Sequence, residues 1–267
     1  MPSELTTDDG VTVVYDDLGP RDGTPVLLCH GLAAAGEQLA ADADYFAGLG
    51  YRVLVPDLRG HGRSGKSVPL SLAGFSILRM ASDLVAMLDA AAVGPVHWVG
   101  NSLGGILALH LLARHEARLR TLATFGTAYR LSLPRWGARF IPLSHHILGA
   151  SLVAGLTALT TTRNAAARPL IARLVGQFDP QVGRFVAENL TSYDLIANAL
   201  AATLPILMLR GGRDSAVNAA LGPTLAAMAG RPNFTLVEVP EGGHCANLDA
   251  TEQLRAELLK FWGAHQA

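Results

Sequence analysis

The sequence predicts an α/β fold: a mainly parallel sheet of about eight strands, helices on both faces, and an inserted helical cap. Three observations carry this. Short apolar runs alternate with helix-period segments. Most of those runs are apolar at nearly every position, as strands buried on both faces are. The alternation is interrupted once, by about 75 Ala- and Leu-rich residues with no strand pattern. A chain of 267 residues, half of them hydrophobic, is long enough to bury a full core around such an insertion.

Taken in order, residues 5–7 and 11–15 flank Asp9-Gly10, a hairpin turn signal because glycine tolerates positive φ. Strands are then expected at 26–29, 52–55, 96–99, 122–125, 206–209 and 234–239. Between them Ile77, Met80, Ala81, Leu84, Val85 and Leu88 recur every three or four residues, the spacing of one helix face. Ile106, Leu107, Leu109, His110, Leu111 and Ala113 do so more loosely. Asp249-Ala250-Thr251-Glu252 reads as an acidic variant of a capping box, opening a last helix through Leu254, Leu258, Leu259 and Phe261. The break after Gly126 and the resumption near Leu204 divide the chain into a core, 1–126 and 204–267, and a helical cap, 127–203, because so long a structureless loop is uncommon.

Charge narrows the partners. Lys and Arg number 21 against 22 Asp and Glu, a net charge of -1, so no global field gathers nucleic acid. The cap differs from the rest: seven arginines, at 130, 135, 139, 163, 168, 173 and 184, oppose Asp179, Glu188 and Asp194, leaving +4 there and -5 elsewhere. Residues 140–162 carry no formal charge, nominally enough to span a bilayer. Pro142, Gly149, Gly155 and several hydroxyls interrupt that run, so it reads as a buried or lipid-facing helical pair, and no transmembrane segment is expected. The first residues hold early acids and no basic-then-apolar leader, which predicts a cytoplasmic location. Cys29 and Cys245 lack disulfide-framework and metal-ligand spacing, and both are expected to stay reduced.

The chemistry centres on Gly100-Asn101-Ser102-Leu103-Gly104-Gly105, a G-x-S-x-G between a strand and an amphipathic helix. A glycine-flanked serine by itself is an ordinary turn. On a strand-turn-helix it is lifted above the sheet, and Gly100 and Gly104 remove side chains that would collide as strand and helix approach. Ser102 is therefore the nucleophile candidate, and it needs a base and an acid to orient that base. His244, on the glycine-rich loop after the last strand, is the base candidate, although a loop histidine is often merely solvated. Asp214, just beyond the strand at 206–209, is the acid candidate, against the bland alternative of a turn or N-cap aspartate. The chain order Ser, Asp, His is specific to one fold among triad enzymes. His30 and His61 sit in glycine turns and read as loop organisers, and neither His145-His146 nor the His110/His115 pair has the spacing of a helical metal site. No metal and no cofactor are called for.

On these residues the chain resembles the α/β-hydrolase superfamily over nearly its whole length, with the cap as the variable part. Cys29-His30-Gly31-Leu32 looks like that family's oxyanion loop, and Asp57-Leu58-Arg59-Gly60-His61-Gly62-Arg63-Ser64 like its Asp-x-x-Gly-x-Gly-x-Ser loop. The resemblance implies that the backbone N–H groups of Leu32 and Leu103 form an oxyanion hole. The Ser-His-Asp set supports a serine esterase acting through a catalytic triad and an acyl-enzyme, and the uncharged run of the cap favours a small-molecule carboxylic ester with an apolar acyl or alcohol part. The uncharged run around Ile147, Leu148, Leu152, Val153, Leu156 and Leu159 is expected either to line an acyl pocket or to pack the cap onto the sheet. Two alternatives stay open. The elbow is similar to that of the meta-cleavage-product hydrolases, which split carbon–carbon bonds, with Arg184 as a candidate for a substrate carboxylate; Leu103 and Cys245 stand where that family commonly has Met and Trp. The other is a slow-turnover ligand receptor or signalling protein on the same fold.

Overall fold

Strand alternation decides how the centre of the molecule is used. In β3 (Pro25–Cys29), Leu27 and Cys29 join one hydrophobic core while Val26 and Leu28 join the other, and all four are buried. A strand with no polar position can only sit in a sheet covered on both faces. The computed structural model describes residues 2–265 and has that architecture. Its strands are β1 (Ser3–Thr6), β2 (Thr12–Leu18), β3, β4 (Arg52–Pro56), β5 (Val96–Asn101), β6 (Leu119–Phe125), β7 (Arg130–Ser132), β8 (Ser192–Asp194), β9 (Ile206–Gly211) and β10 (Phe234–Val239). Eight of them form one sheet in the order β1-β2-β4-β3-β5-β6-β9-β10. β1 and β2 pair antiparallel and β2 pairs antiparallel with β4; every other pairing in that sheet is parallel.

Helices α1 (Ala40–Gly48), α2 (Ile77–Ala90) and α3 (Leu103–His115) follow β3, β4 and β5 in the chain. The segment between β6 and β9 holds α4 (Phe140–Leu148), α5 (Ala150–Thr161), α6 (Arg168–Gln177), α7 (Pro180–Leu190) and α8 (Ile196–Ala201). The last strands are joined and closed by α9 (Ser215–Asn218), α10 (Gly222–Met228), α11 (Ala246–Asp249) and α12 (Thr251–Gly263). Met80 and Leu84 of α2 and Leu107 of α3 pack with Trp98 on one face of the sheet. Phe46 of α1 and Trp262 of α12 meet on the other, ring centroids 4.8 Å apart.

Two expectations need correction, and a third, the helical pair with no membrane span, holds. The segment between β6 and β9 is not wholly helical, because β7 and β8 pair as an antiparallel ribbon. Three-residue strands are too short to leave an alternation signal. Asp249 does not cap α12, whose N-cap is Ala250 with no side-chain cap bond; its carboxylate is taken up elsewhere, as described below. The uncharged run is broken at Gly149, where φ is +81°, into α4 and α5, and among the described residues no helix is long and apolar enough to cross a membrane.

The loop after β4 is held by charge. Arg59 is fully buried and donates to Asp83 Oδ1 at 2.8 Å and to both Asp9 oxygens at 2.9 and 3.0 Å. This ion group ties the β1–β2 turn to α2 beneath the site loops. Arg59→Leu is expected to cost about 3–5 kcal/mol, since Asp83 loses the buried cation that meets both of its oxygens and keeps only Arg79. Urea unfolding measures it, and a loss under 1 kcal/mol would show that Arg79, which also bonds Asp83, holds the loop alone.

Candidate active site

The elbow is set by close approach. A Cβ on Gly104 would lie 2.3 Å from the Cys29 carbonyl oxygen, and one on Gly100 would lie 2.4 Å from the Gly105 nitrogen. With both absent, β5 runs directly into α3, and Ser102 between them is forced to φ +49° and ψ -110°. Few non-glycine residues adopt positive φ, at a cost of about 1–3 kcal/mol. The bond from Ser102 N–H to the Phe125 carbonyl (2.9 Å) helps hold it. Asp214 sits just beyond β9, its side chain 5% exposed, and His244 lies on the loop after β10. His244 Nδ1 lies 2.9 Å from Asp214 Oδ2; an ionised carboxylate only accepts, so Nδ1 carries the proton and Nε2 is left with its lone pair. Asp214 Oδ1 accepts from Val217 N–H (3.2 Å), which fixes the carboxylate.

The elbow and the histidine loop are joined by a residue to which the sequence reading gave no role. Asn101, beside Ser102, donates from Nδ2 to the His244 carbonyl (3.0 Å) and to that of Phe125 (3.3 Å). Its Oδ1 accepts from Gln38 Nε2 (2.9 Å), Gln38 also contacts Asn247 (3.3 Å), and Asn247 donates to Asp42 (3.0 Å). Asp42 in turn accepts from Arg255 (2.8 Å). These partners are up to 213 residues apart, so no local pattern announces them. Gly126 leaves room for the junction: a Cβ there would stand 2.8 Å from the His244 oxygen. Ser102 itself makes no side-chain hydrogen bond among the described residues, so the structure joins Asp214 to His244 and leaves the serine hydroxyl unengaged. Such hydrogen bonds commonly tighten only around substrate.

Leu32 lies on the loop after β3, and Leu103 opens α3, where an N–H has no intrahelical acceptor. A Cβ on Gly31 would lie 3.3 Å from the Ser102 Cβ, so the loop bearing Leu32 passes over the elbow. His30 and His61 organise loops. His30 donates from Nδ1 to the Gly31 carbonyl (2.7 Å) and accepts from Leu58 N–H at Nε2 (3.0 Å). Asp57 accepts from Gly36 N–H (2.7 Å) and Arg63 N–H (3.0 Å). Burial pushes the Cys29 thiol far up and that of Cys245 up to about 12, so neither competes as a thiolate nucleophile near neutral pH.

The insertion closes over this edge. Asp249 accepts from Gly243 N–H (2.7 Å) on the histidine loop and from Arg163 N–H (2.8 Å) and Asn164 N–H (3.1 Å) beyond α5. Cys245 N–H donates to the Thr161 carbonyl (2.9 Å). Under these contacts lies a cavity of about 40 Å³, its wall including Leu32, Thr157, Ile171, Val175 and His244. Ile147, Leu148, Leu152, Leu156 and Leu159, expected to line a pocket or pack inward, do neither: each is about half exposed or more. Arg184 is not on the cavity wall; its guanidinium lies over the Phe185 ring, 5.4 Å from the centroid. A cleft of about 720 Å³ lies along the loop after β4 and contains neither Ser102 nor His244. Its Arg63 pairs with Asp16 and Asp57, and its Lys66 with Asp179, so its charges are already spent on one another.

Burial also holds two histidines neutral, His61 at about 3 and His97 at about 4. The unfolded chain protonates both near 6.5, whereas the native chain does not until far lower. Stability is therefore full above pH 6.5 and falls as pH drops from there toward 4. Urea unfolding at pH 7 and pH 5 is expected to differ by about 2 kcal/mol for each histidine. A flat dependence would mean that the native rings take up protons.

A parallel sheet with a strained serine between its central strand and helix, and an Asp–His pair on the loops beside it, defines the α/β-hydrolase class. The family described as alpha/beta hydrolase fold matches residues 24–251, and the chain belongs to it. A putative carbamate hydrolase, RutD, from Variovorax paradoxus strain S110 is 28% identical over 92% of this chain and 94% of its own length. The magnesium-chelatase 30 kDa subunit of Rhodobacter capsulatus is 34% identical over 92% of this chain and 89% of its own. A thermophilic esterase from Thermogutta terrifontis superposes with a TM-score of 0.84 at 21% identity, covering all of both chains.

Proposed function

We propose that the chain is a cofactor-independent serine hydrolase that cleaves a carboxylic ester with an apolar acyl or alcohol part. Ser102 is the nucleophile, His244 the base and Asp214 its orienting acid; the N–H groups of Leu32 and Leu103 hold the oxyanion; residues 127–203 act as the cap. The observation that carries this is the Asp214–His244 hydrogen bond, formed beside a serine held at positive φ. Asp214 keeps the proton on Nδ1, so Nε2 takes the Ser102 proton as Oγ attacks the ester carbon. The tetrahedral oxyanion is held by the two N–H donors, each worth about 3 kcal/mol in comparable sites. Nε2–H then protonates the leaving alcohol, and a water deprotonated by the same nitrogen releases the acid from the acyl-enzyme. Two buried free thiols are in keeping with a cytoplasmic site of action.

The lining of the cavity favours an apolar substrate, although 40 Å³ is little more than the space of one water molecule. A series of p-nitrophenyl esters from acetate to octanoate tests this. With each buried methylene contributing about 0.8 kcal/mol, kcat/KM is expected to rise about fourfold per carbon over the first few. Indifference to chain length would overturn the apolar acyl site.

The relative described as a magnesium-chelatase subunit favours a second reading, in which the same fold serves an assembly and turns over slowly. Saturated turnover near the usual enzymatic range of about 1 to 1000 per second decides for the first.

A further inference from the structure

The insertion turns its largest apolar side chains outward. α5 packs inward through Ala154 and Ala158, which meet Ile171 and Val175 of α6. Its leucines 152, 156 and 159 lie on the opposite side, about half exposed, and α4 continues the face with Phe140 and Ile147, the latter 68% exposed. Trp136, on the turn before α4, is 64% exposed. Isolated exposed leucines are ordinary, but a contiguous apolar face marks an interaction surface. The segment that bears it is one-sided in charge. Residues 133–163 contain three arginines and no acid, although the chain outside 127–203 carries -5. Arg139 is exposed, with no ion-pair partner among the described residues.

We propose that the α4–α5 face is a docking surface for an anionic lipid bilayer. Helices of 9 and 12 residues are too short to span one, so the pair lies in the plane of the interface, leucines toward the acyl chains. Arg139 meets the headgroups, and Trp136 sits at the depth where tryptophan concentrates. A second copy is the poorer occupant. Two-fold pairing would set this segment against itself and oppose arginines to arginines with no acid between them. Docking would set the membrane on the far side of α5 from the cavity, whose wall includes Thr157 and Thr161.

Flotation of the full chain with vesicles tests this. Binding to phosphatidylcholine with about one-third phosphatidylglycerol is expected to exceed binding to phosphatidylcholine alone, and to weaken with salt as headgroup attraction is screened. Trp98 and Trp262 are fully buried, so quenching of fluorescence by brominated acyl chains reports on Trp136. Ile147→Glu with Leu152→Glu should lower vesicle binding at least tenfold, with the melting temperature and hydrolysis of a water-soluble ester unchanged. Absence of vesicle binding by the wild-type chain would overturn the proposal, as would undiminished binding of the folded double variant. A wild-type dimer that the double variant disperses, without vesicle binding, would assign the face to a second copy instead. None of these outcomes depends on the esterase assignment, because the binding readouts do not require turnover.

Discussion

Ser102→Ala is expected to lower ester turnover by roughly 10⁴- to 10⁶-fold, on the precedent of a triad serine removed from a protease. The substitution keeps the Cβ and removes only the oxygen. Nothing in the surrounding fold depends on that oxygen, since Ser102 bonds through its backbone, to the Phe125 carbonyl and to the N–H groups of Gly105 and Ile106. The positive φ is set by the β5–α3 junction and not by the hydroxyl. The variant should therefore melt with the wild type and fail to react with a fluorophosphonate. Labelling that persists in Ser102→Ala, located by mass spectrometry on another residue, would overturn the nucleophile assignment.

Asp214→Asn is expected to cost about 10⁴-fold in kcat, with little change in KM. An amide in place of the carboxylate turns its NH₂ toward Nδ1, so the ring proton moves to Nε2 and no lone pair remains for the serine. Asparagine still accepts from Val217 N–H through its oxygen and is as good an N-cap as aspartate, so α9 should survive. A stability loss as large as the rate loss would instead mean that Asp214 serves the fold. Near-normal turnover would direct attention to a different acid.

Both predictions concern residues that local sequence could single out. Ser102 is legible because glycines, a strand run and a helix period converge within ten residues. The central strands are legible for a related reason: β3 and β9 are short segments apolar at nearly every position because both faces are covered, whereas β1, β2 and β10 carry exposed or half-buried positions. Asn101 is adjacent to Ser102 and yet carried no signal, because its meaning comes from Gln38 and from the His244 carbonyl, distant in the chain. Asp249 misled in the opposite direction. Its spacing to Glu252 satisfied a capping pattern, but three N–H groups from the histidine loop and the segment beyond α5 compete for the same carboxylate. The uncharged run at 140–162 is legible as helical, but the side it faces is not, because leucines packed inward and leucines turned outward have the same periodicity.

What the sequence by itself determined is the α/β alternation and the strand-turn-helix around Ser102, both consequences of residue types within one or two turns of one another. Only the tertiary structure decided that Asp214 and His244 hydrogen-bond, that Asn101 joins the elbow to the histidine loop, and that α4 and α5 turn their leucines to the outside. Those outcomes depend on which surfaces meet after the chain has folded, and spacing along the chain carries no record of distance across the sheet.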